Sequence, residues 1–244
     1  MLSSGGLVTE LYRGQGQNTW KLEPNIIRKI KDENEIKRIE KSLINEFNDL
    51  LIKNNLSKHI QGQFLNGKFH SDWLLLQQAQ HYGIPTRFMD WTADWEVALF
   101  FAVSNPADDI YDADFWIYIV PPGQLEVDNA KATYYDFDPY EFDKSIFLNA
   151  SGYLSDDYLS KIAMRRVARQ NGRFLIQPYS LLNTPLENNA EHSQNLHRIT
   201  IPKDIKMQLR EELALSGYTN ENLYIVDEPF IEKIKGELRG KYGV

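Results

Sequence analysis

The sequence predicts an α+β fold in a single domain spanning 1–244. Three observations carry that prediction: helical periodicity crowds the first hundred residues, short strand-like runs interleave after them, and no repeat or low-complexity linker divides the two. The expected layout is rich in helices in the N-terminal half, with a helical insertion at about 32–81 and mixed or antiparallel sheets in the core. The bulk numbers agree. A chain of 244 residues with 42% hydrophobic and 25% charged residues can bury a sizeable core.

In order along the chain, Leu11 to Gln17 carries Arg13 between Tyr12 and Gly14, with Gly16 close behind. Paired glycines there suggest backbone that turns sharply or admits a close approach. Gly14-x-Gly16 begins like a dinucleotide fingerprint, but Thr19 stands where the third glycine is needed, so a Rossmann site is rejected. Asp32 and Glu35 form a capping-box signature. Beyond it Ile36, Ile39, Leu43, Phe47, Leu50 and Leu51 recur at helical steps, and the charges between them are assigned to a solvated face. A second helix from about Ser71 should stop near His81, with Gly83 as left-handed cap and Pro85 beyond. Thr86 to Met89 is extended by pattern. Thr92 or Asp94 caps a third helix, whose Val97 to Val103 segment is apolar all round and therefore buried.

Asn105 to Asp114 is a polar loop, Phe115 to Val120 a strand, and Ile146 to Leu148 a short strand. Tyr158 to Arg169 has a helical pattern with a basic end. Arg173 to Gln177 follows a turn at Asn171-Gly172, and residues 180–195 form a polar loop. His197 to Ile201 is a strand halted by Pro202. Helices near Lys203 to Leu215 and Asp227 to Leu238 close the chain, with Gly217 capping the first.

Composition narrows the chemistry. The absence of cysteine excludes disulfides and thiolate catalysis. A net charge of −7 argues against wholesale attraction to nucleic acid or membrane. Met1 to Glu10 lacks the features of a signal peptide, and the longest apolar run is far too short to span a bilayer, so a cytoplasmic location without membrane partners is expected. His59, His70, His192 and His197 have no metal-ligand spacing, and no metal site is expected.

The densest polar cluster is Gln80 to Thr92, set against the apolar run that follows. Each of its residues has a structural alternative. Arg87 and Asp90 could lock a loop as an ion pair, His81 could end a helix, and Trp91 and Trp95 could be core aromatics. Arg13 has no evident packing purpose and favours anion binding. Gln170 could cap a helix or turn.

Taken together, Tyr12-Arg13-Gly14 with Trp20, Leu22, Pro24 and Arg28, then Gln80-His81-Tyr82-Gly83-Ile84-Pro85-Thr86-Arg87, Asp90-Trp91-Thr92 and Ala98-Leu99-Phe100-Phe101-Ala102 resemble the FRG domain family. Arg166, Gln170, Gly172 and Phe174 extend the resemblance. Phe88-Met89 replaces a usual leucine pair, and Trp95 stands where proline is typical. The layout also resembles the mono-ADP-ribosyltransferases more remotely: an arginine on a first strand, a polar stretch before a helix, and a late turn and strand. The FRG resemblance implies toxin or anti-phage defence roles in bacteria, while the transferase resemblance implies NAD as substrate and a nucleic-acid or protein acceptor. It places Asp90 and Gln170 as catalytic candidates, and Tyr12, Arg13, Gly14, Arg87, Trp91 and Thr92 as cofactor-binding ones. Where the transferases carry a late glutamate this chain has Gln170, a neutral amide. The alternative is a non-catalytic module that recognises a nucleotide or phosphate through the same pocket.

Overall fold

The computed structural model describes residues 10–28, 30, 32–54, 70–121, 125–126, 136–149, 168–224 and 229–242. The strands are β1 (Glu10–Gln15), β2 (Phe88–Thr92), β3 (Ala113–Ile119), β4 (Leu125–Glu126), β5 (Ile146–Asn149), β6 (Gly172–Ile176) and β7 (Leu196–Ile201). They form one sheet in the order β4-β5-β6-β2-β1-β3-β7, antiparallel throughout except for the parallel pair β4–β5. The helices are α1 (Glu33–Lys53), α2 (His70–His81), α3 (Trp95–Val103), α4 (Lys206–Leu215), α5 (Asn220–Leu223) and α6 (Pro229–Tyr242). The α+β expectation therefore holds, with the two long helices of the N-terminal half inserted between β1 and β2. Among the described residues no helix is long and apolar enough to cross a membrane.

Side-chain alternation sorts the sheet into two faces. Leu11, Met89, Trp91, Trp116, Tyr118, Phe147 and Leu175 pack together on one, covered by Leu22 and Leu186 from flanking loops. The opposite face carries two separate helical blocks. In the first, the α1 stripe (Ile39, Leu43, Phe47, Leu51) joins Trp73 and Leu76 of α2 and Ile234 and Leu238 of α6 over Phe88, Phe174 and Ile176. In the second, Val97, Ala98 and Phe100 of α3 and Leu213 of α4 cover Ala113, Phe115 and Ile201. Each fully buried large aliphatic or aromatic side chain is worth about 1.5–3 kcal/mol of transfer free energy, so both blocks are held chiefly by apolar burial.

Local signals terminate the elements as the sequence predicts. Asp32 accepts from the Glu35 N–H at 2.8 Å, and Asp94 accepts from the Glu96 and Val97 N–H groups. Gly83 takes φ +71° after α2, a conformation that costs a glycine nothing. The 180–195 loop is less polar than its composition suggests. It holds three short 3-10 turns, Tyr179–Leu181, Leu186–Asn188 and Ser193–Asn195, and buries Leu182, Leu186 and His192. Most of the helix expected over Tyr158 to Arg169 lies outside the described residues; 168–170 are helical.

Gly14 fixes how β1 meets α3. A Cβ built there would come within 1.9 Å of the Ala98 carbonyl oxygen and 2.5 Å of the Ala102 nitrogen, both backbone atoms. Neither can swing aside as a side chain would. Gly14→Ala is therefore expected to lower stability by at least the ~1–3 kcal/mol of ordinary overpacking, read as a fall in melting temperature. An unchanged melt would show that strand and helix do not touch backbone to backbone.

Candidate functional site

The middle of the sheet has a thin seam. β1 is in register with β3 along its whole length, Glu10↔Ile119 to Gln15↔Asp114, and β2 with β6 from Phe88↔Ile176 to Thr92↔Gly172. Between β1 and β2 the only registered pair is Tyr12↔Thr92. A cleft of about 260 Å³ opens beside this seam. The strands contribute Tyr12, Arg13 and Gly14, then Asp90, Trp91 and Thr92, then Gly172, Arg173 and Phe174. Gln80 and His81 line it from the end of α2, Ala98 and Phe101 from α3, and Gln170 and Tyr224 from loops. The gap between the two helical blocks thus leads to the seam.

Arg13 is half-buried, and its Nη1 donates across the seam to the Asp90 carbonyl oxygen. Its Nε is buried without a hydrogen-bond partner among the described residues. Burial pulls the guanidinium below its ordinary value; the charge of Asp90 opposes that shift and Arg28 adds to it. The group remains a cation. Asp90 is exposed, between buried neighbours on β2, and its Oδ2 accepts from Gln80 Nε2 at 2.9 Å. It is the only carboxylate among the described residues that line the cleft.

Thr92 Oγ1 donates to the Gln170 carbonyl oxygen at 2.6 Å and accepts from the Asp94 N–H at 2.9 Å. Gln170 Nε2 in turn donates to the Leu223 carbonyl oxygen at 3.0 Å, which docks α5 and Tyr224 against the late turn. Tyr12 donates its hydroxyl to Glu10 at 2.6 Å. That bond, with burial and the carboxylate's charge, pushes the phenol up to about 12, so it stays protonated at neutral pH. Gly14 contributes backbone to the wall, and its missing side chain serves the contact with α3.

Trp91 only borders the cleft. Its indole is buried among Tyr118 and Phe147, with ring centroids 5.8 and 6.2 Å away, because it points to the face opposite Asp90. Arg87 lies elsewhere altogether. It is fully buried, its backbone N–H donates to Glu40 Oε1 at 2.7 Å, and its guanidinium lies 3.7 Å from Glu40 Oε2 and 4.3 Å over the Tyr179 ring. Its Nη2 donates to the Pro139 carbonyl. The partner of Arg87 is Glu40 rather than Asp90, and the assignment of Arg87 to ligand binding is corrected: no face of it reaches the cleft.

Sequence reasoning missed Arg173, Phe101 and Tyr224 as wall residues. Arg173 was within reach, since it lies between the quoted Gly172 and Phe174. Burial pulls its guanidinium below the ordinary value, and its Nη1 donates to the Gly172 carbonyl at 2.9 Å. Tyr224 arrives by docking from a distant segment and carries no local signal. His81, weighed as a helix end, both ends α2 and lines the cleft, its ring 5.2 Å from that of Phe174.

Among the described residues, two guanidinium groups, one accessible carboxylate and a set of aromatic rings line the recess, groups whose chemistry can hold an anionic ligand that carries a ring. Fold and cleft together define an α+β protein with such a recess at the centre of its sheet. Residues 9–110 match the model of the FRG domain family. The match takes in β1 to α3, hence Arg13, Gln80, Asp90 and Thr92, and leaves Gln170 to Phe174 outside it. No curated protein and no solved structure matches the chain.

Proposed function

We propose that the cleft binds NAD and transfers its ADP-ribose to an acceptor, protein or nucleic acid, with Asp90 as the carboxylate at the reacting centre. The observation that carries this reading is the convergence of Arg13, Asp90, Thr92 and Gln170, from three distant segments, on one recess that holds a single carboxylate among the described residues. Its volume falls just below the ~300–1,000 Å³ of typical ligand sites, which suits a ring and its ribose better than a whole dinucleotide. Breaking the bond from ribose C1′ to nicotinamide sends the electron pair to the pyridinium nitrogen and leaves an oxocarbenium-like sugar. A fixed carboxylate stabilises that cation. The acceptor then attacks C1′, forming the new bond to the sugar, and gives up its proton to solvent water. Arg13 suits the pyrophosphate, and Tyr12, Phe101 or Tyr224 the departing ring.

A specific observation favours a second reading, a nucleotide-recognition module without turnover. Gln170 is neutral, its amide nitrogen already donates to the Leu223 carbonyl, and the Thr92 hydroxyl both donates to the Gln170 carbonyl and accepts from the Asp94 N–H. Incubating the full chain with NAD, nucleic acid and protein acceptors separates the two. Nicotinamide release supports transfer; calorimetric binding without release supports recognition; neither overturns both. Arg13→Ala is expected to weaken NAD binding by about 1.5–3 kcal/mol, the range for hydrogen bonds to a charged group, or tenfold and more in Kd. Unchanged affinity in a folded variant would remove Arg13 from the site.

A further inference from the structure

The carboxylate of Asp90 is the end of a hydrogen-bond chain that begins in the interior. The Phe88 N–H donates to Thr86 Oγ1 at 3.1 Å, Thr86 Oγ1 pairs with Gln80 Oε1 at 2.6 Å, and Gln80 Nε2 pairs with Asp90 Oδ2 at 2.9 Å. The chemistry at its two ends dictates every direction between them. An ionised carboxylate only accepts, so Gln80 must turn its amide nitrogen toward Asp90 and its oxygen toward Thr86. That oxygen also only accepts, so the Thr86 hydroxyl gives its hydrogen to Gln80 while taking the Phe88 N–H. No alternative orientation satisfies all four groups.

The backbone is arranged to hold this chain. Gln80 is in the last turn of α2, Gly83 takes the left-handed conformation just beyond, and Ile84 N–H returns to the Ala79 carbonyl at 2.9 Å. The chain thereby doubles back and sets Thr86 against Gln80. Thr86 is fully buried and Gln80 is 8% exposed, so water does not compete for the Thr86–Gln80 link, while the Gln80–Asp90 link is part-buried at the mouth of the recess. A glutamate at position 80 could not serve, because two carboxylates would then meet at hydrogen-bond distance.

We infer that Gln80, oriented by Thr86, is a positioning residue that fixes the Asp90 carboxylate for the reaction in the cleft. The inference rests on the transfer reading above. It assigns the stretch from Gln80 to Thr86 a purpose beyond ending a helix: it aims the Asp90 carboxylate into the recess.

Nicotinamide release by the full chain tests it. Gln80→Met and Thr86→Val are expected to lower kcat by roughly ten- to a hundredfold, the scale set by small misplacements of a reacting group, with KM within about twofold because neither residue grips the nucleotide. Thr86→Ser, which keeps the hydroxyl, should restore kcat. In an Asp90→Asn background, Gln80→Met should add no further loss, since both changes act through one group. A merely structural role would lower the melting temperature alike in both backgrounds and leave kcat of the folded fraction intact; that result overturns the inference while the transfer reading stands. Should Gln80→Met not fold, the Thr86→Val and Thr86→Ser pair decides. Wild-type protein that releases no nicotinamide overturns both.

Discussion

Glu40→Ala is expected to remove about 3–5 kcal/mol of folding stability, the cost of leaving a buried charge without its partner. Glu40 and Arg87 are both 0% exposed. Glu40 Oε1 accepts the Arg87 backbone N–H and Oε2 accepts the hydroxyl of Tyr179, whose phenol is pushed well above its ordinary range by burial and then by the Glu40 charge. Deleting the carboxylate strands the guanidinium among Tyr179, Pro139 and apolar neighbours. Against the 5–15 kcal/mol total of a typical protein, the loss is a large fraction, and at this length it corresponds to a fall on the order of 10 °C in Tm. Arg87→Ala should behave alike. Replacing both together, Glu40→Leu with Arg87→Met, should recover part of the loss, because no charge is then left buried, while the backbone N–H of residue 87 and the Tyr179 hydroxyl still lack the acceptor that Glu40 supplied. Urea denaturation of the three variants measures this. A loss under about 1 kcal/mol for Glu40→Ala would mean that water reaches the pair.

The same pair marks where the sequence was legible and where it was not. Ile36, Leu43 and Phe47 announce the buried face of α1 by spacing alone, and Glu40 falls on that face, four residues after Ile36 and three before Leu43. Assigning every charge in the helix to solvent overlooked it. Arg87, three residues before Asp90, invited a local pairing. Its true partner is 47 residues away in sequence, a distance that no local pattern spans. In β2, by contrast, period-2 alternation already separates Asp90 from Trp91: one faces the recess, the other the core. The helix caps at Asp32 and Asp94 and the left-handed turn at Gly83 were legible for the same reason, since each is decided within a few residues. Tyr224 and the commitment of Gln170 to Leu223 depend on how the last third of the chain docks, and tertiary packing alone decides that.

Asp90→Asn is expected to lower nicotinamide release by roughly 10²–10⁴-fold, the scale at which a positioned carboxylate contributes, while NAD affinity changes little. The substitution isolates charge from shape. Asparagine has the outline of aspartate, and its carboxamide can turn its oxygen toward Gln80 Nε2, so the bond now made at 2.9 Å survives. Asp90 is exposed on its strand, so the exchange strands no buried group and the melting temperature should stay within a degree or two of wild type. What disappears is the negative charge that faces a sugar cation formed only in the transition state; hence the loss falls on kcat rather than on KM. Paired calorimetry and single-turnover release measure the two quantities separately. Equal turnover in Asp90→Asn and wild type would dismiss Asp90 as the reacting carboxylate. Tight NAD binding with no release from either protein would instead leave the recess as a reader of nucleotides, with Arg13 and its aromatic walls as the recognition elements.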